Sequence, residues 1–181
     1  MSDIITAPGI EPHMDEAVYH ADPVQGGSLS STEAKEILKS PAHLKHYREN
    51  RPVHKPVFDF GSAVHTEVLG TGWPIQPLDF DSFRTKEARE AQAQARAENA
   101  IPVLAKDYAE VQRCAAAIRA HPVAGPLFSR DDAQPEISAF GQADGVWLRG
   151  RFDLILPAAG IIVDLKTCQS ADPRDFPRIA Y

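Results

Sequence analysis

Residues 150–167 read GRFDLILPAAGIIVDLKT, two apolar runs joined by Pro157-Ala-Ala-Gly160 and each interrupted by one aspartate. Runs of β-branched and aromatic residues bounded by Pro and Gly signal strands, and so short a connection makes them an antiparallel hairpin. Asp153 sits between Phe152 and Leu154, and Asp164 between Val163 and Leu165. A buried, unpaired carboxylate costs several kcal/mol, so each needs a cation, a hydrogen-bond network or a water-filled cleft. Because successive strand side chains alternate faces, Asp164 and Lys166 project together while Leu165 points into the core. A hairpin closing near residues 157–160 brings Asp153 opposite that pair. Two carboxylates and an ammonium on one patch can hold a hard divalent cation and orient a water.

Working outward, EISAFGQ (136–142), VWLRGRFDLILP (146–157) and GIIVDLKTC (160–168) predict three consecutive antiparallel strands, the first two joined at Asp144-Gly145. Upstream the texture is helical. Pro102 starts a helix with an apolar stripe of Leu104, Tyr108, Val111, Ala115 and Ile118, ending at His121-Pro122. TKEAREAQAQARAENA (85–100) is helical by propensity but lacks a large apolar face, which makes it peripheral. Residues 71–84, with Pro74 and Pro77, read as a loop. FDFGSAVHTEVLG (58–70) suits a buried helix presenting Ala63, Val64, Val68 and Leu69, and RPVHKPV before it is a break. Two shorter helices precede that break. The first is capped by Ser31 or Thr32, with Ala34, Ile37 and Leu38 on one face, and the second runs from Pro41 with Ala42, Leu44 and Tyr47. Residues 1–27, rich in Pro, Gly and acids without periodicity, are expected to be a flexible lead-in to one α+β domain at 28–181.

The 181 residues fit one core, and 43% hydrophobic with 24% charged residues is ordinary for a soluble protein. No apolar run is long enough to span a bilayer and no secretory leader is visible, so the expectation is a cytoplasmic protein without membrane contact. Cys114 and Cys168 are too few for a disulfide framework or a thiolate metal site. The net charge of −6 excludes a generally basic nucleic-acid coat. Positive charge gathers late in the chain, at Arg149, Arg151, Lys166, Arg174 and Arg178, so any DNA contact is local. No G-x-x-x-x-G-K-[ST] loop occurs, which excludes ATP-driven translocation within this chain.

GRFD at 150–153 followed by IVDLKT at 162–167 resembles the catalytic hairpin of PD-(D/E)xK nucleases. The stretch from 28 to 181 more specifically resembles the nuclease domain of RecE-type exonucleases, relatives of the RecB nuclease domain and λ exonuclease. SLSSTEAKEILKSPAHLKHY (28–47) is similar to that family's N-terminal helical segment, and FGSAVHTEVL (60–69) to its G-x-x-x-H helix. The resemblance implies a restriction-endonuclease-like α+β core with N-terminal helices, a helical insertion and a three-stranded sheet. It makes Asp153, Asp164, Lys166 and Glu136 catalytic. His65, Asp153, Asp164 and the backbone carbonyl of Leu165 become ligands for Mg²⁺ or Mn²⁺. Lys166 would position the attacking water or stabilise charge on phosphorus, and Arg151, Arg174 and Arg178 would contact DNA. The implied activity is an exodeoxyribonuclease on double-stranded DNA ends in phage-type recombination, working as a ring-shaped homo-oligomer with a single-strand annealing protein. Two other readings stand beside it: an inactive DNA-binding or assembly module, and a related endonuclease or resolvase. Nucleases of this family continue past the D-x-K strand into a helix and a further strand. This sequence stops at Tyr181, so both elements are expected to be missing and the chain alone to be poorly active.

Overall fold

A computed structural model describes residues 4–50, 56–168, 170, 172, 174 and 175, and in it the segment from residue 4 to 27 is built into the fold. Strand β1 (Gly9–Glu11) pairs antiparallel with Ser138–Phe140. Helix α1 (Glu16–His20) is capped by Asp15, whose carboxylate accepts from Ala17 N–H at 2.8 Å. Ile5, Tyr19, Val24 and Phe140 form a small buried cluster flanked by Met14 and Trp147. Beside it Arg149, only 7% exposed, pairs with Asp22 at 2.7 Å and Glu33 at 3.2 Å, and donates to both oxygens of Ser28. Glu33 is shared with Arg48 at 3.0 Å. A guanidinium buried this deeply requires its anions, so the segment that brings Asp22 is held in place. The expected flexible lead-in is thereby corrected for residues 4–27. Several of its partners lie more than a hundred residues away, as in the pairing of Asp22 with Arg149 and of β1 with β4, and leave no local periodicity.

Ser30 caps helix α2 (Ser31–Lys39) in a reciprocal capping box with Glu33, one residue before the expected cap. The expected apolar face is not the buried one. Leu38 is 85% exposed and Glu33 only 2%, because α2 turns its carboxylate towards Arg48 and Arg149. Ser40 ends α2 and caps α3 (Pro41–Glu49), where Pro41 fits the first helical turn. Helix α4 (Pro56–Leu69) ends at Gly70.

Two elements depart from expectation next. The loop at 71–84 contains strand β2 (Ile75–Leu78), and Pro102 lies inside strand β3 (Ile101–Leu104) rather than opening a helix. The two strands pair in parallel, which needs a crossover, and helix α5 (Lys86–Ala97) supplies it. α5 is therefore not merely peripheral: it packs Ala88 and Ala95, both wholly buried, where side chains without bulk allow close approach to β2 and β3. Helix α6 (Ala105–Ala120) follows, with the expected Val111 and Ala115 at its buried centre and Tyr108 and Ile118 beside them. A short helix α7 (Ala124–Phe128) folds back on it.

Strands β4 (Gln134–Ala143) and β5 (Val146–Leu156) form the expected hairpin, closed by Asp144 and Gly145 at φ of 51° and 79°. After a 3₁₀ turn at Pro157–Ala159 comes β6 (Ile161–Val163). The sheet order is β1-β4-β5-β6, four strands where three were expected. The last strand is shorter than GIIVDLKTC, since its ladder ends with Val163 opposite Leu154. The main core joins Ala63, Val64 and Val68 of α4, Ile101 and Val103 of β3, Val111 and Ala115 of α6, and Leu165. Among the described residues no helix is long and apolar enough to cross a membrane, and both cysteines are free. Most of 169–181, where the family's next helix would begin, lies outside the described residues.

Candidate metal centre

Helix α4 carries His65 one turn after Gly61, with Ala63, Val64 and Val68 anchoring it in the core. Gly61 has a steric reason: a Cβ there would meet the Thr167 hydroxyl at 3.0 Å, so the chain beyond β6 passes close to the helix. On the sheet, Pro135 pairs with Leu154 and Ile137 with Phe152, which places Glu136 opposite Asp153. The ladder skips that pair because Glu136 adopts a left-handed φ of 55°. Such a conformation costs a non-glycine residue about 1–3 kcal/mol and persists only where surrounding contacts hold it.

One ligand atom from each of His65, Glu136 and Asp153 lies within 4.8 Å of the others, and all three residues are half-buried. His65 Nδ1 is 3.8 Å from Asp153 Oδ2. The same oxygen accepts the Leu165 N–H at 2.5 Å. Leu165 thus puts its main chain on Asp153 and its side chain in the core, as expected, although β6 ends two residues before it. Glu136 Oε2 accepts from Arg151 Nε at 2.6 Å. His65 and Glu136 border a cleft of about 1200 Å³, whose lining also includes Arg151, Thr167, Met14 and Asp15.

The other expected site residues are placed differently. Asp164 and Lys166 flank Leu165, but both are exposed and pair with each other at 2.6 Å, apart from the three-residue cluster. Arg151, expected on DNA, gives its guanidinium to Glu136, Ser138 and Met14. Arg174 is exposed and tied to Asp172 at 2.5 Å. Arg178 lies outside the described residues. Met14 and Tyr19, which line or support the site, were not foreseen; the one signal for them was Arg151 itself, a charge inside an apolar strand that needed partners.

Residues 30–181 match the family model described as a PDDEXK-like domain of unknown function (DUF3799). The chain belongs to this family. Membership agrees with the mixed α+β architecture and makes the domain nuclease-like in fold. No curated protein matches the chain in sequence. Nucleases with PDDEXK domains typically use divalent metals, and the donors fit one: an imidazole and two carboxylates converge from a helix and two adjacent strands, with His65 and Glu136 on the lining of a cleft.

Proposed function

We propose that this PDDEXK-like domain is a Mg²⁺- or Mn²⁺-dependent DNA nuclease, and the observation that carries the reading is the convergence of His65, Glu136 and Asp153 beside the D-x-K segment. A divalent cation held there would polarise a phosphoryl oxygen and lower the pKa of a bound water. His65, Glu136 and Asp153 would hold it, with the N–H of Leu165 fixing the orientation of Asp153. Asp164 and Lys166 are the remaining acid and the lysine of the family signature. Once its contact with Asp164 is released, Lys166 stabilises the charge that builds on phosphorus, a role that an ammonium fills without being a metal ligand. The resemblance to RecE-type exonucleases extends the proposal to exonucleolytic action on double-strand ends, in a phage recombination setting, by a ring-shaped oligomer with an annealing protein.

Calorimetric titration with Mn²⁺ should show binding that Asp153→Ala and His65→Ala each weaken by about tenfold or more, at least the cost of losing an outer hydrogen-bond partner of a metal site. Lys166→Ala should retain the metal and lose cleavage. Linear duplex should be degraded to nucleotides while covalently closed circles survive; cleavage of the circles would make the enzyme an endonuclease. The mutual pairing of Asp164 and Lys166 favours a second reading, a domain that binds metal and DNA without turnover. That reading holds if Mn²⁺ binds and neither substrate is cut.

A further inference from the structure

Arg151 is spent inside the protein. Its Nε donates to Glu136 Oε2 at 2.6 Å, and its Nη1 to Ser138 Oγ at 2.9 Å and to the Met14 carbonyl at 3.1 Å. The guanidinium carbon lies 5.7 Å from the ring centre of Tyr19. These contacts come from β4, from the turn before α1 and from α1 itself. A guanidinium is a planar fork, so it cannot change its angle to one partner without disturbing the rest. Ser138 is wholly buried, which leaves the fork little room to turn. Glu136 is the partner that needs holding, because its left-handed φ of 55° is one a strand residue does not adopt unforced. Arg151 takes Oε2 and leaves Oε1 without a hydrogen-bond partner among the described residues.

We infer that Arg151 is a positioning residue that holds the strained Glu136 so its carboxylate keeps one oxygen for a cation shared with His65 and Asp153. Through Met14 and Tyr19, the N-terminal segment is then part of the site's support. The inference rests on the reading of the cluster as a metal centre. Charge and geometry make opposite demands here. A guanidinium close to a bound cation repels it, so by charge alone removing Arg151 tightens metal binding. If Arg151 acts by orienting Glu136, its removal weakens binding, as loss of an outer hydrogen-bond partner does.

The sign is read by Mn²⁺ calorimetry on the full chain, with thermal melts to confirm folding and no cleavage assay needed. Arg151→Gln should weaken binding about tenfold or more, comparably to Glu136→Gln, and the double variant should be no weaker than Glu136→Gln alone. Arg151→Lys, which keeps the charge and one donor, should recover part of the affinity; should the glutamine variant fail to fold, a loss of several-fold in the lysine variant carries the test. Unchanged or tighter binding in either folded variant overturns the inference, as does a double variant whose losses simply add. A parent that binds Mn²⁺ while ignoring Arg151 overturns this inference alone. A parent that binds no Mn²⁺ overturns the metal centre, and the role of Arg151 with it.

Discussion

Glu136 stands at φ 55° within a strand of 10 residues, and its backbone strain can be measured apart from its carboxylate. Glu136→Ala and Glu136→Gly both lose the pair with Arg151, so their difference isolates the main chain. In an ordinary strand glycine is the less stable of the two by roughly 0.5–1 kcal/mol. Here glycine should be more stable by about 1 kcal/mol, because a left-handed residue with a Cβ carries roughly that penalty. Urea unfolding of the two variants checks this, and an alanine variant equal to or better than glycine would mean that the strand is relaxed. Asp153 was legible because a carboxylate between Phe152 and Leu154 has no bland place in a core strand. The turn of the backbone at Glu136 was not, since nothing in EISAFGQ distinguishes a left-handed glutamate from an extended one. Nor were the partners of Arg151, because the Met14 carbonyl is 137 positions away and contributes only its main chain.

At the scale of elements, helices α2 to α6 and the β4–β5 hairpin followed from local chemistry, while α1, α7 and the β2–β3 pair did not. Each of those strands has four residues and contains a proline, and a proline in so short a run reads equally as a loop or as the first turn of a helix. Pro102 is among the most deeply buried side chains, so packing rather than local propensity decides its role. The packing of α7 onto α6 also depends on a feature invisible in periodicity. A Cβ at Gly125 would stand 2.2 Å from the Arg119 carbonyl oxygen, a backbone atom with no rotamer to yield. Although alanine is the better helix former, Gly125→Ala should destabilise the protein by about 1–3 kcal/mol through forced separation of the two helices. A lowered melting temperature is the readout. Unchanged or raised stability would show that α7 can shift without cost.

Across the whole molecule, the buried charges around Arg149 connect the N-terminal segment, α2, α3 and the sheet. Burial pushes the carboxyl of Glu33 up, but the Ser30 N–H, Arg48 and Arg149 outweigh it and hold the group below the ordinary carboxylate range. A depressed folded-state value means that its stabilisation is complete above the ordinary range and disappears as pH falls through the lowered value. Glu33→Gln should therefore cost about 1–3 kcal/mol at neutral pH, the scale of hydrogen bonds to charged groups. The gap between parent and variant should close on acidification. Stability curves that run parallel down to the acid limb would remove Glu33 from the acid sensitivity of the fold. The charge network also has a consequence for descent. The shared family domain begins at residue 30, yet Asp22 and Ser28, which answer Arg149, lie ahead of that boundary. The stretch that matches the family is thus shorter than the stretch that packs around Arg149. Glu33 answers Arg149 from inside that boundary, so a domain cut at residue 30 would leave the arginine one anion where this chain supplies two.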